Sequence, residues 1–219
     1  MKREDWDRKY SEQEQLWSSH PYRFFESEVA DLAPGRALDL ACGEGRHTIL
    51  LATLGWKAIG VDFSEVAIAR ARERAVAAGV DVDFQHEDLL DFEPGPASYD
   101  LVVVFFLHLP PEDRRRVLGR AASALAPGGT FLLVGHDVLN ASAGVGGPSD
   151  VSLLYTAQEI TEELAEILPG LEIEKAERVL RTVENEESPA IDALVKAHRP
   201  QAASSPNGPE ASNRLNSTN

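Results

Sequence analysis

The feature of this 219-residue sequence that most constrains its fold is a series of short apolar runs separated by helical patterns. Valine, leucine, isoleucine and phenylalanine are nearly continuous in these runs, as they are in strands covered on both faces. We interpret five runs as strands, at residues 37–42, 58–61, 82–85, 101–106 and 130–134. Strands that alternate with helices form a parallel sheet, so the sequence predicts a doubly wound α/β fold.

Ordinary start and stop signals mark the predicted helices. A glycine follows each of the first two, and the third begins with a proline and precedes Pro127-Gly128-Gly129. These three helices cover residues 46–54, 65–78 and 111–126. A fourth helix is predicted to begin at the capping box Thr156-x-x-Glu159.

The end of the chain has a different character. Two strand-like runs, 171–183 and 191–198, are separated by a short polar segment, so we expect an antiparallel hairpin. Residues 200–219 are rich in Pro, Ser and Asn and lack aromatic and β-branched apolar residues, which predicts disorder. The predicted organisation is one domain over residues 1–199, in which 1–33 form a helical cap.

Composition narrows the classes of partner. The 36 acidic residues outnumber the 21 basic ones, giving a net charge of −15, which argues against nucleic-acid binding. No apolar run approaches the ~20 residues of a membrane-spanning helix. The first fifteen residues are charged where a signal peptide would be apolar, so we expect a cytoplasmic protein. With one cysteine and scattered histidines, no metal site is expected.

Polar residues and glycines follow successive predicted strands. Ligands of open α/β sheets bind at the carboxyl ends of the strands, where Gly43 and Gly45 follow strand one, Asp62 follows strand two and Asp88 follows strand three. Each has a plain alternative: a strand-to-helix turn, a helix cap or a turn aspartate. Their succession at three strand ends predicts an adenosine site, with Asp62 at the ribose.

The adenosine ligand is not predicted to be a dinucleotide, because Thr48 occupies the third glycine position of G-x-G-x-x-G. The pattern resembles the class I S-adenosylmethionine-dependent methyltransferases over residues 1–198. Their D-x-G-x-G-x-G motif appears as Asp39, Ala41, Gly43 and Gly45, with alanine in the first glycine place, and their L-x-P-G-G turn as Leu125, Pro127, Gly128 and Gly129.

This resemblance implies a Rossmann-like seven-stranded sheet in the order 3-2-1-4-5-7-6, with strand seven antiparallel. It also implies S-adenosyl-L-methionine as the cofactor. The cofactor-binding residues that it implies are Asp39, Ala41, Gly43, Gly45, Asp62, Phe63, Asp88, Leu89, Phe105 and Trp17.

A finer resemblance lies at the N-terminus. Trp6-Asp7-x-x-Tyr10, Trp17 and Pro21 are similar to the segment that caps the active site in small-molecule methyltransferases of the tellurite-resistance and thiopurine type. Aromatic faces suit a sulfonium cation. The alternative is that they anchor an amphipathic helix to the domain.

The acceptor side is predicted at the ends of strands four and five. His108 follows strand four, and His136 and Asp137 end strand five ahead of a glycine-rich loop, 144–147. A histidine can deprotonate a phenol or thiol acceptor, and we predict these three residues as catalytic. The alternatives are a backbone-bonded His108, a loop-pinning Asp137 and a plain connecting loop.

The function predicted from the sequence is in-line transfer of a methyl group to a small-molecule acceptor by a monomer or homodimer. Two other functions stay open at this point. One is a nicotinamide-dependent oxidoreductase, although the sequence lacks a Tyr-x-x-x-Lys pair. The other is a non-catalytic cofactor-binding protein on the same fold.

Overall fold

The structure, a computed structural model, describes residues 3–13 and 21–201 of the chain. The strands are β1 (Arg36–Leu40), β2 (Lys57–Asp62), β3 (Asp83–His86), β4 (Tyr99–Phe105), β5 (Leu125–His136), β6 (Glu172–Arg181) and β7 (Ala190–His198). The helices are α1 (Arg3–Glu12), α2 (Phe25–Val29), α3 (Arg46–Thr53), α4 (Glu65–Ala78), α5 (Pro111–Ala124), α6 (Asn140–Ala143) and α7 (Ala157–Ile167), with a 3-10 turn at Val151–Leu153.

The strands form one sheet in the order β3-β2-β1-β4-β5-β7-β6. Strands β1 to β5 are parallel, whereas β7 runs antiparallel to both β5 and β6. The predicted fold class, strand order and terminal hairpin are therefore confirmed. Because the first five strands are parallel, their carboxyl ends share one edge of the sheet, and the predicted site residues follow these ends.

Helices cover both faces of the sheet, which explains the continuous apolar runs. On one face Phe131 of β5 packs in a cluster with Leu118 of α5 and Leu164 of α7. The next residue along β5, Leu132, points to the opposite face and packs in a cluster with Leu51 of α3. Consecutive side chains of a strand thus both become buried.

The start of β5 differs from the prediction. Helix α5 ends at Ala124 and β5 begins at once with Leu125, so Pro127-Gly128-Gly129 lies inside the strand instead of forming a separate turn. The pairing with β4 shifts between Tyr99 and Leu101, which produces a bulge. Residues 126–129 of β5, which the sequence pattern assigns to the end of a helix and a turn, therefore lie in this bulge opposite a single residue of β4.

The terminal segments are described only in part. Residues 3–13 contain α1, which contacts α4, since Ser64 Oγ donates a hydrogen bond to Asp7 Oδ1. Trp17 lies outside the described residues, and so does the tail from residue 202, whose disorder stays a prediction. Within the described ranges, no helix has the length and apolar character needed to cross a membrane.

Candidate cofactor and acceptor site

The loop after β1 makes the sharp turn that the glycines predict. Ala41, Gly43 and Gly45 all have positive φ, at +61°, +54° and +79°. A Cβ added at Gly43 would lie 2.9 Å from the hydroxyl oxygen of Tyr10, whereas one at Gly45 would lie 2.7 Å from the Phe84 ring. Packing therefore requires glycine at 45, while Gly43 faces helix α1.

Asp39 is buried directly beneath this loop, at 1% exposure. The hydroxyl of Thr48 donates a 2.6 Å hydrogen bond to its Oδ2. Its Oδ1 has no hydrogen-bond partner among the described residues. Burial raises the pKa of this carboxyl to about 7. Thr48, the departure from the dinucleotide motif, is thus the residue that holds Asp39.

Asp62, at the end of β2, ties the loop to the sheet. Its Oδ2 accepts a hydrogen bond from the backbone N–H of Gly43 and its Oδ1 accepts one from Ser64, both at 2.9 Å. Burial raises the pKa of its carboxyl, although these two hydrogen bonds lower it. The cap of α4 is Ser64, whose Oγ accepts from Ala67 N at 3.2 Å, so the helix-cap alternative for Asp62 is wrong.

Asp88 follows β3 and stabilises a turn, as the alternative interpretation of this residue as a turn aspartate predicts. Its Oδ1 accepts a hydrogen bond from the backbone N–H of Leu90, and its Oδ2 lies 3.6 Å from Nη2 of Arg3 in α1. Leu89 belongs to the hydrophobic core at 8% exposure, while Phe63 beyond β2 is only partly buried. Asp88 and Phe63 therefore keep accessible surface for a ligand.

The two phenylalanines at the end of β4 have different surroundings, and the cofactor contact of Phe105 stays a prediction. Phe105 points into the core, where its ring packs edge-on against Phe25 and Tyr22 and is 5% exposed. Phe106 is the residue that turns toward the site, with a positive φ of +57° that is costly for an aromatic residue. Its ring centroid lies 5.3 Å from that of His136.

His136, at the end of β5, lies on the side of the sheet edge where the sequence predicts the acceptor. Its Nδ1 lies 3.3 Å from Oδ1 of Asp192, which is its cross-strand neighbour on β7. A Cβ added at Gly147 would lie 2.8 Å from its Cδ2, so the glycine-rich loop packs directly against the imidazole. The predicted proximity of His136 and this loop is thereby confirmed.

Asp192 and Arg181 are absent from the residues predicted from the sequence. The carboxylate of Asp192 is fully buried and accepts two hydrogen bonds from Arg181, at 2.8 and 3.3 Å. Burial raises its pKa, but the nearby His136 and the hydrogen bonds from Arg181 outweigh burial and lower the pKa overall. One sequence signal marks Asp192: it interrupts the apolar run from Ile191 to Val195.

The other two predicted catalytic residues bond the backbone. Nε2 of His108 accepts the backbone N–H of His136 at 3.0 Å, and burial lowers the His108 pKa to about 4. Asp137 accepts a hydrogen bond from the N–H of Leu139 and forms an ion pair with Arg178, both at 2.9 Å. These contacts match the alternatives of a backbone-bonded histidine and a loop-pinning aspartate.

Asn140 fixes the glycine-rich loop over this cluster. Its side-chain amide donates hydrogen bonds to the carbonyls of Val145 and Gly146, at 3.3 and 2.9 Å. Its Oδ1 accepts the N–H of Ile191, next to Asp192, at 2.8 Å. One side chain thus joins the loop to the strand that carries the buried carboxylate.

Comparisons with known proteins agree with this geometry. A protein family described as a methyltransferase domain matches residues 37–129. The 27-O-demethylrifamycin SV methyltransferase of Amycolatopsis mediterranei is 33% identical over 159 residues, which are 67% of this chain and 57% of the relative. The chain therefore spans little more than half the length of that curated relative.

Solved structures extend the likeness to the whole sheet. A structure described as the conversion of a disulfide bond into a thioacetal group during echinomycin biosynthesis has a TM-score of 0.71 and 25% identity, covering 92% of this chain and 94% of that chain. TehB from Haemophilus influenzae, with a TM-score of 0.67 and 21% identity, covers 90% of this chain and 67% of its own and shows a shared fold. The matched domain, the strand order and the loop after β1 together place this chain in the class I S-adenosylmethionine-dependent methyltransferase superfamily.

Proposed function

We propose that the chain transfers a methyl group from S-adenosylmethionine to a small-molecule acceptor. The observation that carries the proposal is the adjacency of two sites on one sheet edge. The loop after β1 is held by Asp39 of β1 and by Asp62 at the end of β2. His136 at the end of β5 and Asp192 near the start of the antiparallel β7 form the second site. Phe106, at the end of β4, stands between these two groups of strands in the sheet order.

The residues of the loop fit the cofactor. A buried acceptor oxygen without a partner, Oδ1 of Asp39, suits the ammonium group of the methionine part. Asp62 already accepts two backbone N–H groups, and each of its oxygens has a second lone pair for a ribose hydroxyl. Gly43 keeps the backbone bare on the side of Tyr10, where a Cβ would obstruct an approaching ligand.

Adenine recognition is assigned to Asp88 and Phe63, which retain accessible surface, with Leu89 contributing the edge of the core beneath them. Ala41 and Gly45 shape the loop. Trp17 remains a predicted cofactor contact. When bound, the cofactor supplies a methyl group on a positively charged sulfur, so the chain's own contribution is positioning, exclusion of water and proton removal.

Proton removal is assigned to His136. Nδ1 lies 3.3 Å from Oδ1 of the buried Asp192 but makes no hydrogen bond to a described residue, so the carboxylate acts on the imidazole through its charge, and Nε2 is the nitrogen that we assign to accept the acceptor's proton. Arg181 supports the ionised state of Asp192 through its two hydrogen bonds. His108 and Asp137 act as positioning residues, because they hold the backbone on either side of the imidazole.

One relative and the net charge support a small-molecule acceptor. The relative from Amycolatopsis mediterranei is named for a small-molecule substrate, demethylrifamycin SV. A net charge of −15 disfavours phosphate-rich polymers as acceptors. Cytoplasmic location and a monomeric or dimeric state remain predictions.

Ligand titration separates this proposal from its two rivals. Calorimetry should show binding of S-adenosylmethionine and S-adenosylhomocysteine and none of NAD. A screen of phenols, thiols and amines should then release S-adenosylhomocysteine with at least one acceptor. Binding of NAD in place of the sulfonium cofactor would make the chain an oxidoreductase, and binding without turnover on any acceptor would support a non-catalytic protein.

The base is tested by replacing His136 with glutamine. The variant should keep its cofactor affinity and lose about 10² to 10⁴-fold in turnover, the usual contribution of a positioned general base. His198, half-exposed and paired with Glu172 at the far end of β7, provides the matched control, and His198→Gln should leave turnover unchanged. Turnover of His136→Gln within twofold of wild type removes His136 from the mechanism.

A further inference from the structure

Tyr22, which lies shortly before α2, carries a hydroxyl that packing does not require. The tyrosine is 4% exposed, and its ring packs edge-on against three phenylalanines, with centroid distances of 5.6 Å to Phe24, 5.5 Å to Phe105 and 5.8 Å to Phe106. Its hydroxyl oxygen makes no hydrogen bond to a described residue. A phenylalanine would pack here at lower cost, because a buried hydroxyl without a partner is unfavourable. We therefore expect the hydroxyl to have a role other than packing.

The backbone of Tyr22 is held on both sides of its Cα atom. Its N–H donates a hydrogen bond to Nε2 of His47 at 2.9 Å, and its carbonyl accepts the N–H of Phe25 at 2.8 Å. His47 is 3% exposed, and burial lowers its pKa well below the usual value, so the imidazole is neutral and Nε2 can accept a hydrogen bond. These bonds and the three surrounding rings fix the direction of the Tyr22 side chain.

The Tyr22 ring lies beside the proposed base. Phe106 lies next to both residues, because its ring centroid is 5.8 Å from that of Tyr22 and 5.3 Å from that of His136. The guanidinium carbon of Arg181 lies 5.3 Å from the same centroid. Burial and the negative charge of Asp192 raise the pKa of the Tyr22 hydroxyl. Tyr22 therefore keeps its proton near neutral pH and presents one O–H to the pair formed by Asp192 and Arg181.

Asp192 can accept a further donor. A carboxylate has about four lone-pair sites, and Arg181 occupies two of those on Asp192 through hydrogen bonds of 2.8 and 3.3 Å. Nδ1 of His136, 3.3 Å from Oδ1 of Asp192, is also buried and also lacks a hydrogen-bond partner among the described residues. Two lone-pair sites and two unpartnered groups thus remain around one fully buried carboxylate.

We propose that Tyr22 is a positioning residue for His136: its hydroxyl turns its hydrogen toward Asp192 and weakens the attraction of that carboxylate for the imidazole. This inference rests on the function proposed above. A carboxylate that is stabilised by a further donor stabilises a neighbouring imidazolium less. The hydroxyl therefore keeps His136 less basic, so that a larger share of the enzyme carries an unprotonated base near neutral pH.

Other charged or titratable side chains among the described residues also face this cluster from neighbouring elements. They are Glu28 of α2, Arg46 and His47 of α3, and His108 after β4. Replacing Tyr22 by phenylalanine removes one oxygen and leaves all of these groups in place. A change in the titration of His136 therefore reports the lost hydroxyl.

The test is an NMR titration of the His136 imidazole in wild type and Tyr22→Phe, without cofactor or acceptor. The His136 signal is assigned by its loss in His136→Gln. The Tyr22→Phe variant should raise the pKa of His136 by about 0.5 to 1 pH unit, a part of the ~1 to 3 units that a nearby full charge produces. With an acceptor from the screen, the acid limb of the kcat/KM profile should move to higher pH by the same amount, while cofactor affinity stays unchanged.

Tyr99→Phe is the matched control, because Tyr99 is also 4% exposed but lies at the opposite end of β4 from the site. This control should leave the His136 titration unchanged. Asp192→Asn removes the charge on which the hydroxyl acts, so adding Tyr22→Phe to that variant should no longer move the His136 titration.

An unchanged or lowered His136 pKa in Tyr22→Phe would overturn the proposal, and so would an equal rise in the Asp192→Asn background. The titration needs no ligand, so its outcome is separate from that of the proposed function. The proposed function of His136 fails instead if His136→Gln keeps wild-type turnover.

Discussion

Replacing Asp39 by asparagine should make the protein less sensitive to pH. The carboxyl of Asp39 is buried, and its pKa is about 7 in the folded protein against an ordinary value of 3.8. A group whose folded-state pKa is raised binds its proton more tightly in the folded state. Ionised Asp39 therefore destabilises the fold, and this cost grows as the pH rises from about 4 to about 7.

The magnitude follows from the difference between the two pKa values. That difference is about three pH units, and each unit corresponds to about 1.4 kcal/mol, so full ionisation costs up to about 4 kcal/mol. At pH 5, about one pH unit above the ordinary pKa, about 1.4 kcal/mol of this cost is already present in wild type. Between pH 5 and pH 8 the cost should grow by about 3 kcal/mol.

Asparagine keeps the shape and the acceptor oxygen for Thr48 but carries no charge. The free energy of unfolding of wild type and Asp39→Asn should be measured by urea titration at several pH values without cofactor. The difference between the two proteins isolates residue 39 from the many other titrating carboxylates. A difference that stays constant from pH 5 to pH 8 would refute the assignment of a raised pKa to Asp39.

Three further predictions concern the loop and its anchor. Ala41→Gly should stabilise the protein by up to about 1 kcal/mol in urea unfolding, because the alanine has a φ of +61° that glycine adopts without strain; unchanged stability would contradict this. Gly45→Ala should cost several times more than Gly79→Ala, since a Cβ at 45 would meet the Phe84 ring at 2.7 Å and one at 79 meets nothing within 4 Å; equal melting temperatures would count against it. Asp62→Ala should lower both cofactor affinity and stability by about 1.5 to 3 kcal/mol each, because two backbone N–H groups lose their acceptor; a change in affinity alone would show that the loop holds without it.

The cofactor half of the site is largely predictable from the sequence because it is local. Gly43, Asp62 and Asp88 follow consecutive strands, and the parallel order of those strands brings their ends together. What the sequence cannot supply is side-chain direction. Phe105 and Phe106 differ by one position, and the left-handed backbone of Phe106 decides which ring leaves the core.

The acceptor half depends on contacts between distant parts of the chain. His136 and Asp192 are 56 residues apart by number and become neighbours only because β7 inserts antiparallel between β5 and β6. Their pairing depends on register, since a shift of one residue would turn Asp192 to the other face of the sheet. The sequence places an aspartate beside His136 at position 137, but that residue caps a turn, and the carboxylate that contacts the imidazole comes from β7.

The strand order places two different sets of polar groups along one edge of the sheet. The strands β1 to β3 present backbone turns and carboxylates that accept hydrogen bonds, which suits a polar adenosine ligand. The hairpin β6–β7 presents a buried carboxylate, that of Asp192, which accepts hydrogen bonds from Arg181 and lies 3.3 Å from Nδ1 of His136. Because the negative charge is balanced by an arginine on the neighbouring strand, it can orient the imidazole without requiring a cation from the acceptor. We therefore expect acceptor recognition to depend on shape and on the accessible parts of Phe106 and of the 144–147 loop.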